Sequence, residues 1–266
     1  MNLKKLLLTE NECYRAGRTI TPKGIMVHST GAENPNLRRY VGPDDGLLGV
    51  NEHGNHWNQP RPEGRQVCVH AFIGLLKDGT VATYQTLPWH WRGWHCGGEG
   101  NNTHISFEIC ESALDDGAYF AKAYQEAVEF TAYLCKLYRL DPLTDGVVIC
   151  HSEGAERGIA SDHADVMHWF PRHGKDMDDF RLDVAELIEG GKEVTEKDVR
   201  KIVEAVLAEH KQPVWNTLEE VPDWGRPTVK KLLDSGALVG TEGGLGITYD
   251  LLRMLVINDR LELYER

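Results

Sequence analysis

The sequence predicts an α/β fold with a small helical module at its C-terminal end. Residues 67–74 alternate with the period of a β-strand, whereas residues 119–138 repeat apolar side chains at the spacing of an α-helix. A glycine pair, Gly190-Gly191, interrupts the pattern and predicts a boundary between residues 1–189 and residues 190–266. We therefore expect one α/β domain followed by a smaller unit.

Composition restricts the class of protein. The chain has 266 residues, of which 41% are hydrophobic and 26% are charged, as is usual for globular domains. Its net charge of −12 and its lack of a basic run argue against nucleic-acid binding, which depends on clustered lysine and arginine. No apolar run is long enough to span a bilayer. Six scattered cysteines without a CxxC pair indicate neither a disulfide framework nor a structural zinc site.

The strands are predicted in order along the first 150 residues. An apolar run at residues 25–27 ends at His28, and a polar loop rich in Gly, Asn and Pro follows over residues 42–66. Residues 67–74 and 81–86 form a hairpin around Asp78-Gly79, a strong turn signal. A further strand spans residues 103–110, and residues 147–150 form a short strand that ends at His151.

The helices complete the order of elements. Residues 119–138 carry one apolar stripe, which predicts a helix packed on the core, and residues 177–188 read as a second helix. In the C-terminal module, apolar spacing predicts helices that begin near Thr195, Pro227 and Thr248. No catalytic set of residues occurs in this module, and short helices bury little surface, so we expect it to self-associate or to bind a partner.

Two histidines each follow a predicted buried strand, where functional side chains are commonly placed. Neutral imidazole is the commonest metal ligand, and a catalytic zinc ion takes three protein ligands and leaves one position for water. His28 and His151 therefore require a third ligand. Asp162, His163 and Asp165 are the candidates, because they lie together in one short loop after His151.

Glu108 lies in the middle of a predicted strand, on the face opposite the apolar row of Ile105, Phe107 and Ile109. A carboxylate is seldom placed there without a partner. Zinc-dependent hydrolysis needs a base that takes a proton from water, and a partly buried glutamate is suited to this role. The alternative is a structural salt bridge.

Five segments of residues 24–181 together resemble a known family. In order along the chain they are GIMVHSTG, VHAFIGLLKDGTV, WHCGG, ISFEICE and CHSEG…SDHADVMHWF. They resemble the zinc-dependent N-acetylmuramoyl-L-alanine amidases of the amidase-2 and peptidoglycan-recognition-protein family, of the phage or prophage endolysin type. The resemblance implies a central mixed β-sheet flanked by helices.

The resemblance also implies the metal site. It places a Zn²⁺ ion on His28, His151 and Asp165. Val166 stands where the family often has proline, and His163 stands two residues before Asp165, where the family usually has lysine. Asp162 and His163 therefore stay open as alternatives for the third ligand.

The remaining site residues are likewise assigned by resemblance. Glu108 and His163 are expected to be catalytic, as the base and as the group that stabilises the oxyanion. His70, Trp94 and His95 are expected to contact the substrate. For His70 the alternative is a buried histidine that is hydrogen-bonded to neighbouring backbone.

The function implied is hydrolysis of the amide between N-acetylmuramic acid and L-alanine in bacterial peptidoglycan, which lyses the cell wall. The alternatives are a non-catalytic peptidoglycan-binding protein and a zinc peptidase of the stem peptide. The resemblance gives the C-terminal module a wall-binding or self-association role, so a homo-oligomer is an open expectation. The apolar part of residues 1–9 is too short for a secretory signal, which predicts synthesis in the cytoplasm and action on the wall after release.

Overall fold

The computed structural model describes residues 1–190 and 213–264. The chain divides into two compact units, Met1–Glu193 and Val194–Arg266. The helix predicted to begin near Thr195 lies outside the described residues. None of the described helices is both long enough and apolar enough to cross a bilayer.

The first unit is built on one six-stranded sheet. Its strands are β1 (Leu3–Lys5), β2 (Gly24–Glu33), β3 (Ala71–Leu75), β4 (Val81–Gln85), β5 (His104–Glu111) and β6 (Val148–Cys150). They lie in the order β1-β4-β3-β5-β2-β6. The β3–β4 hairpin is antiparallel and every other pair is parallel, which confirms the predicted mixed sheet. Strand β1 was not predicted, because three residues give too short a pattern to read.

The helices of the first unit are α1 (Glu12–Ala16), α2 (Gly117–Tyr138), α3 (His151–Glu156) and α4 (Met177–Glu189). Two of the helices, α2 and α4, pack together on one face of this sheet. The side chains of Ile105, Phe107 and Ile109 on β5 share one buried core with the apolar stripe of α2. This arrangement confirms the predicted helix and the predicted apolar face of the strand.

The opposite face of the sheet carries the polar residues. In the parallel pairing of β2 with β5, His28 lies directly beside Glu108, and both side chains point away from α2. The segment between β2 and β3 folds over this face, where Tyr40, Trp57 and Phe72 pack together.

Of the two histidines, His28 does not end its strand as predicted. Strand β2 continues five residues beyond His28, to Glu33, because β5 pairs with it as far as Glu111. His151 is the first residue of α3, whose start is fixed by a hydrogen bond from the Cys150 amide to the Glu153 carboxylate. Only the position of His151, directly after its strand, matches the expectation.

The second unit is small. It contains a two-stranded antiparallel ladder of β7 (Val214–Trp215) and β8 (Ile247–Thr248), with α5 (Arg226–Asp234) and α6 (Tyr249–Arg260). The predicted helices near Pro227 and Thr248 are both present, and the Thr248 hydroxyl accepts from the Leu251 amide as the cap of α6. Among the described residues of this unit, the core contains the buried side chains of Val221, Val229, Ile247, Leu252 and Val256.

Candidate active site

Three potential metal ligands converge on the polar face of the sheet. His28 Nδ1 lies 2.8 Å from Asp165 Oδ2, His151 Nδ1 lies 2.9 Å from the same oxygen, and the two Nδ1 atoms are 3.1 Å apart. The neighbouring strands β2 and β6 bring the two rings together. Asp165 reaches them from the first position of a short 3-10 helix, Asp165–His168.

The chemistry of these atoms fits a cation. The other nitrogen of each ring is engaged elsewhere: His28 Nε2 lies 3.0 Å from His95 Nδ1, and His151 Nε2 lies 3.2 Å from Ser161 Oγ. Because a neutral imidazole carries one N–H group, rings that donate through Nε2 present a lone pair at Nδ1. Two such lone pairs and a carboxylate oxygen then face one another, and an ion between them removes the repulsion. A tetrahedral zinc ion separates its ligand atoms by roughly 3.3 Å, close to the spacing found here.

Burial and charge reinforce this arrangement. Burial lowers the pKa of His28, and the adjacent Asp165 only partly opposes the shift, so the ring stays neutral as a metal ligand must. Burial acts to raise the pKa of Asp165, but the adjacent imidazoles of His151 and His28 outweigh this and hold that pKa below its usual range. Asp165 therefore presents an ionised oxygen to the two rings.

The three candidates for the third ligand differ in whether they lie close to His28 and His151. Among the described residues, the group with metal-ligand geometry is His28, His151 and Asp165. Asp162 and His163 are exposed and do not belong to this group. Asp165 adopts a φ of 40°, in the left-handed region that side chains other than glycine rarely occupy. Such strain is often found at functional sites, where the surrounding structure holds it in place.

Glu108 lies beside the ligand set. Its Oε2 atom is buried and has no hydrogen-bond partner among the described residues. Burial is the main cause that raises the pKa of its carboxyl well above the usual value, and the charges of Asp165 and Glu111 add to it. Among the described residues, none forms the salt bridge that was the alternative for Glu108. A buried carboxylate with a free oxygen and a raised pKa is suited to accept a proton.

His163 stands at the rim of the same cleft. Its ring contacts that of His151, with centroids 4.7 Å apart, and its Nδ1 lies 3.1 Å from Ser161 Oγ. The Ser161 hydroxyl also lies 3.2 Å from His151 Nε2 and donates to the Cys96 carbonyl. Ser161 thus connects a metal-ligand candidate to the rim, a role that the sequence did not reveal.

The cleft has a volume of about 540 Å³, and its walls include two of the three predicted substrate contacts. Trp94 and His95 both line it. Arg92 lies over the Trp94 ring, with its guanidinium carbon 4.8 Å from the ring centroid. His95 Nε2 is buried without a hydrogen-bond partner among the described residues, while its Nδ1 faces His28.

His70 differs from the expectation that it contacts the substrate. It is fully buried, and the cleft walls do not include it. Its Nδ1 accepts from the Ser106 amide at 3.0 Å, and its Nε2 donates to the Trp91 carbonyl at 2.7 Å. Both nitrogens are occupied, so the structure favours the alternative, a buried histidine hydrogen-bonded to neighbouring backbone.

The wall opposite the histidines was missed by the sequence analysis. It includes Tyr40, which precedes the polar loop predicted over residues 42–66, and Trp57, which lies within that loop; both side chains are buried. At its outer edge, one glutamate pairs with two arginines, Glu63 with Arg39 and Arg65. The aromatic residues within a loop rich in Gly, Asn and Pro were the available signal, because isolated tryptophan and tyrosine in such loops usually pack against something.

Comparison with known proteins identifies a family for this arrangement. Residues 18–168 match the family described as N-acetylmuramoyl-L-alanine amidase, which is more than half of the chain. That range includes both histidines, Glu108 and Asp165. No curated protein matches the chain.

Similar solved structures were also found. The Staphylococcus aureus hydrolase AmiA, in complex with its ligand, is 22% identical, with a TM-score of 0.52, over 71% of this chain and 82% of that one. The catalytic domain of XlyA is 24% identical, with a TM-score of 0.48, over 69% of this chain and 99% of that one. A mutant endolysin from Bacillus subtilis is 24% identical, with a TM-score of 0.46 and the same coverage. The likeness to AmiA supports the fold, and the two lower scores carry no argument.

Proposed function

The chain belongs to the N-acetylmuramoyl-L-alanine amidase family, and we propose that His28, His151 and Asp165 hold the zinc ion required for its reaction. The enzyme hydrolyses the amide that joins N-acetylmuramic acid to the L-alanine of the peptide stem in peptidoglycan. When bound, the ion makes water more acidic and polarises the scissile carbonyl. The observation that carries the proposal is the convergence of three lone pairs on one point beside Glu108.

Glu108 is proposed to accept the proton of the attacking water. Its position in register with His28 puts the carboxylate next to the ligand set, and its free Oε2 is available for a proton. The raised pKa strengthens it as a base and lets it later return the proton to the leaving amine. A proton transfer in each direction completes the hydrolysis.

His163 is proposed to stabilise the oxyanion that develops on the carbonyl. It lines the cleft next to His151, and one of its nitrogens is held by Ser161. The Ser161 hydroxyl donates to the Cys96 carbonyl, so Nδ1 of His163 donates to Ser161, and the protonated ring has a second N–H group, at Nε2, that can donate to negative charge in the cleft. Trp94 is proposed to pack against the substrate, since an aromatic wall buries sugar and peptide surface.

Analysis of the cleavage products tests this function. Purified peptidoglycan is digested with the zinc-loaded protein, with and without chelator, and the fragments are identified by mass spectrometry. We expect metal-dependent release of peptides that begin with L-alanine, together with intact glycan strands. Peptides cut within the stem would identify a zinc peptidase, and binding without fragments would identify a non-catalytic wall-binding protein. Either result would contradict the proposal.

The second unit is proposed to attach the enzyme to the wall or to a second copy, and the enzyme to act on the wall after release from the cytoplasm where it is made. The described core of the second unit, with five buried side chains, is small. Helix α6 of this unit leaves Met254 and Ile257 more than half exposed. An exposed apolar face on a small unit is the kind of surface that binds a partner.

Truncation after Gly190 tests the division of labour. Because α4 ends at Glu189 and all proposed catalytic residues lie before it, we expect the truncated protein to keep its rate on soluble muropeptides. We expect that the truncated protein no longer sediments with intact walls. If the second unit self-associates, light scattering should give the mass of a single truncated chain, whereas the full-length protein should give the mass of more than one copy. A truncated protein that folds but does not cleave soluble fragments would contradict this division.

A further inference from the structure

Both nitrogens of His28 have a specific partner. Nδ1 faces the metal-ligand set, and Nε2 lies 3.0 Å from Nδ1 of His95. If Nδ1 of His28 binds a metal ion, its proton must be on Nε2, and that proton needs an acceptor because the ring is buried. The only atom that the described residues place at hydrogen-bond distance from His28 Nε2 is His95 Nδ1.

The backbone of His95 is held in place by a buried amide. The side chain of Asn101 is fully buried, and its Oδ1 accepts from the amides of His95 at 2.7 Å and of Cys96 at 3.2 Å. Its Nδ2 donates to the Gly98 carbonyl at 2.9 Å. The loop that carries His95 is therefore closed on itself by one residue.

The ring of His95 also lies close to Gly93. Gly93 lies against the Cys68 carbonyl, which a Cβ atom at this position would approach to 2.8 Å. The same Cβ would lie 3.4 Å from the His95 ring and 3.3 Å from His70. A side chain at position 93 would therefore press on the rings of His70 and His95, which glycine avoids.

We propose that His95 is a positioning residue, which accepts the Nε2–H of His28 and so keeps Nδ1 of His28 aimed at the metal site. This inference rests on the proposed zinc site and adds to it an orienting residue, with Asn101 as its support. Metal-binding histidines commonly donate their second N–H group to such a partner, whose loss weakens metal binding by roughly 10- to 100-fold.

The two nitrogens of His95 allow a discriminating pair of substitutions. Asparagine places its amide oxygen near the position of Nδ1, whereas glutamine places its amide near the position of Nε2. An orienting role uses Nδ1, so His95→Asn should preserve it better than His95→Gln. A direct contact with substrate would have to use Nε2, the nitrogen without a hydrogen-bond partner among the described residues, and would not affect zinc binding in the absence of substrate.

Zinc affinity without substrate is the measurement. Metal-free full-length protein is titrated with zinc in competition with a chromophoric chelator, for the wild type, His95→Asn, His95→Gln and His95→Leu. We expect His95→Gln and His95→Leu to bind zinc roughly 10- to 100-fold more weakly than the wild type, with His95→Asn closest to it. His104→Gln is the matched control, because His104 is also buried but hydrogen-bonds to Thr103 and the Gly146 carbonyl instead; it should bind zinc normally.

Two results would overturn the inference: unchanged zinc affinity in His95→Gln and His95→Leu, or weaker binding in His95→Asn than in His95→Gln. Circular dichroism checks the fold of each variant, and if His95→Leu does not fold, the asparagine and glutamine variants alone decide. His28→Ala separates this inference from the proposed function. If that variant still binds zinc at the wild-type affinity, the proposed metal site itself is wrong.

Discussion

His28 and His70 are two buried histidines on either side of strand β5, and they differ in what their nitrogens contact. Each is at most 1% exposed, and their side chains lie on the same face of the sheet. His70 accepts from one backbone amide and donates to one carbonyl, so it has no capacity left. His28 instead directs Nδ1 to another histidine and a carboxylate. The comparison teaches that the partners of both nitrogens, rather than burial, separate a structural histidine from a ligand.

The largest difference between the two is expected in metal binding. His28→Ala removes a proposed ligand and should abolish both bound zinc and cleavage, because two ligands hold a catalytic zinc ion poorly. His70→Gln serves as the matched control and should keep its zinc. Elemental analysis and muropeptide release measure the two effects. Cleavage by a metal-free His28→Ala protein would contradict the proposal that His28 is a metal ligand and that His70 is not.

Glu108 lies on β5, the strand between His28 and His70, and we expect it to act in catalysis. Glu108→Gln keeps the shape of the side chain but cannot accept the proton of water, so kcat should fall by roughly 10²- to 10⁴-fold. Zinc content should not change, since Glu108 is outside the ligand set. Steady-state kinetics on soluble muropeptides, with zinc measured on the same sample, check this. A variant with normal kcat would show that Glu108 is not the catalytic base.

His163 lies at the rim of the cleft, and its substitution tests whether a residue there takes part in catalysis. His163→Ala should lower kcat by about 10²-fold, the scale for loss of one oxyanion donor, with a smaller effect on KM. His163→Lys supplies another cation donor and should restore part of the rate. An alanine variant with unchanged kcat, or one that loses zinc, would assign His163 a different role.

The smallest effect on catalysis is expected at His70, where the effect on stability is larger. His70→Gln leaves the Ser106 amide without its acceptor and should lower the free energy of unfolding by about 1–3 kcal/mol, with kcat nearly unchanged. Chemical denaturation and kinetics at pH 7 measure both quantities. A large loss of kcat in a folded variant would place His70 in the catalytic site after all.

The pH dependence of stability gives His70 a second, independent readout. Burial lowers the pKa of His70 to about 4, below its ordinary value of about 6.5, so the unfolded chain binds this proton more readily. Stability should therefore be fully present above pH 6.5 and should decline as the pH falls towards 4, by up to about 3 kcal/mol from this group. In His70→Gln that part of the decline should be absent. Equal declines in the two proteins would show that His70 does not titrate in this way.

Much of the fold was predictable from local sequence. The alternation of residues 103–110 determined which side chains of β5 meet α2, and it thereby put Glu108 on the opposite face. The apolar stripe of α2 and the turn at Asp78-Gly79 were equally readable, because they depend on neighbours within a few residues. The identity of the candidate chemistry, two histidines and nearby carboxylates, also came from the sequence and its resemblance to a family.

The tertiary structure decided which of these residues meet. Asp165, rather than Asp162 or His163, lies with His28 and His151, because the buried side chains of Val166 and Trp169 fix where the loop passes the sheet. It also decided that His70 is satisfied, through partners 21 and 36 residues away, and that residues 40 and 57 form a wall of the cleft. Local periodicity reports which face a side chain occupies. Its hydrogen-bond partners come from distant parts of the chain, so only the folded structure determines whether a buried nitrogen is left free for a metal ion.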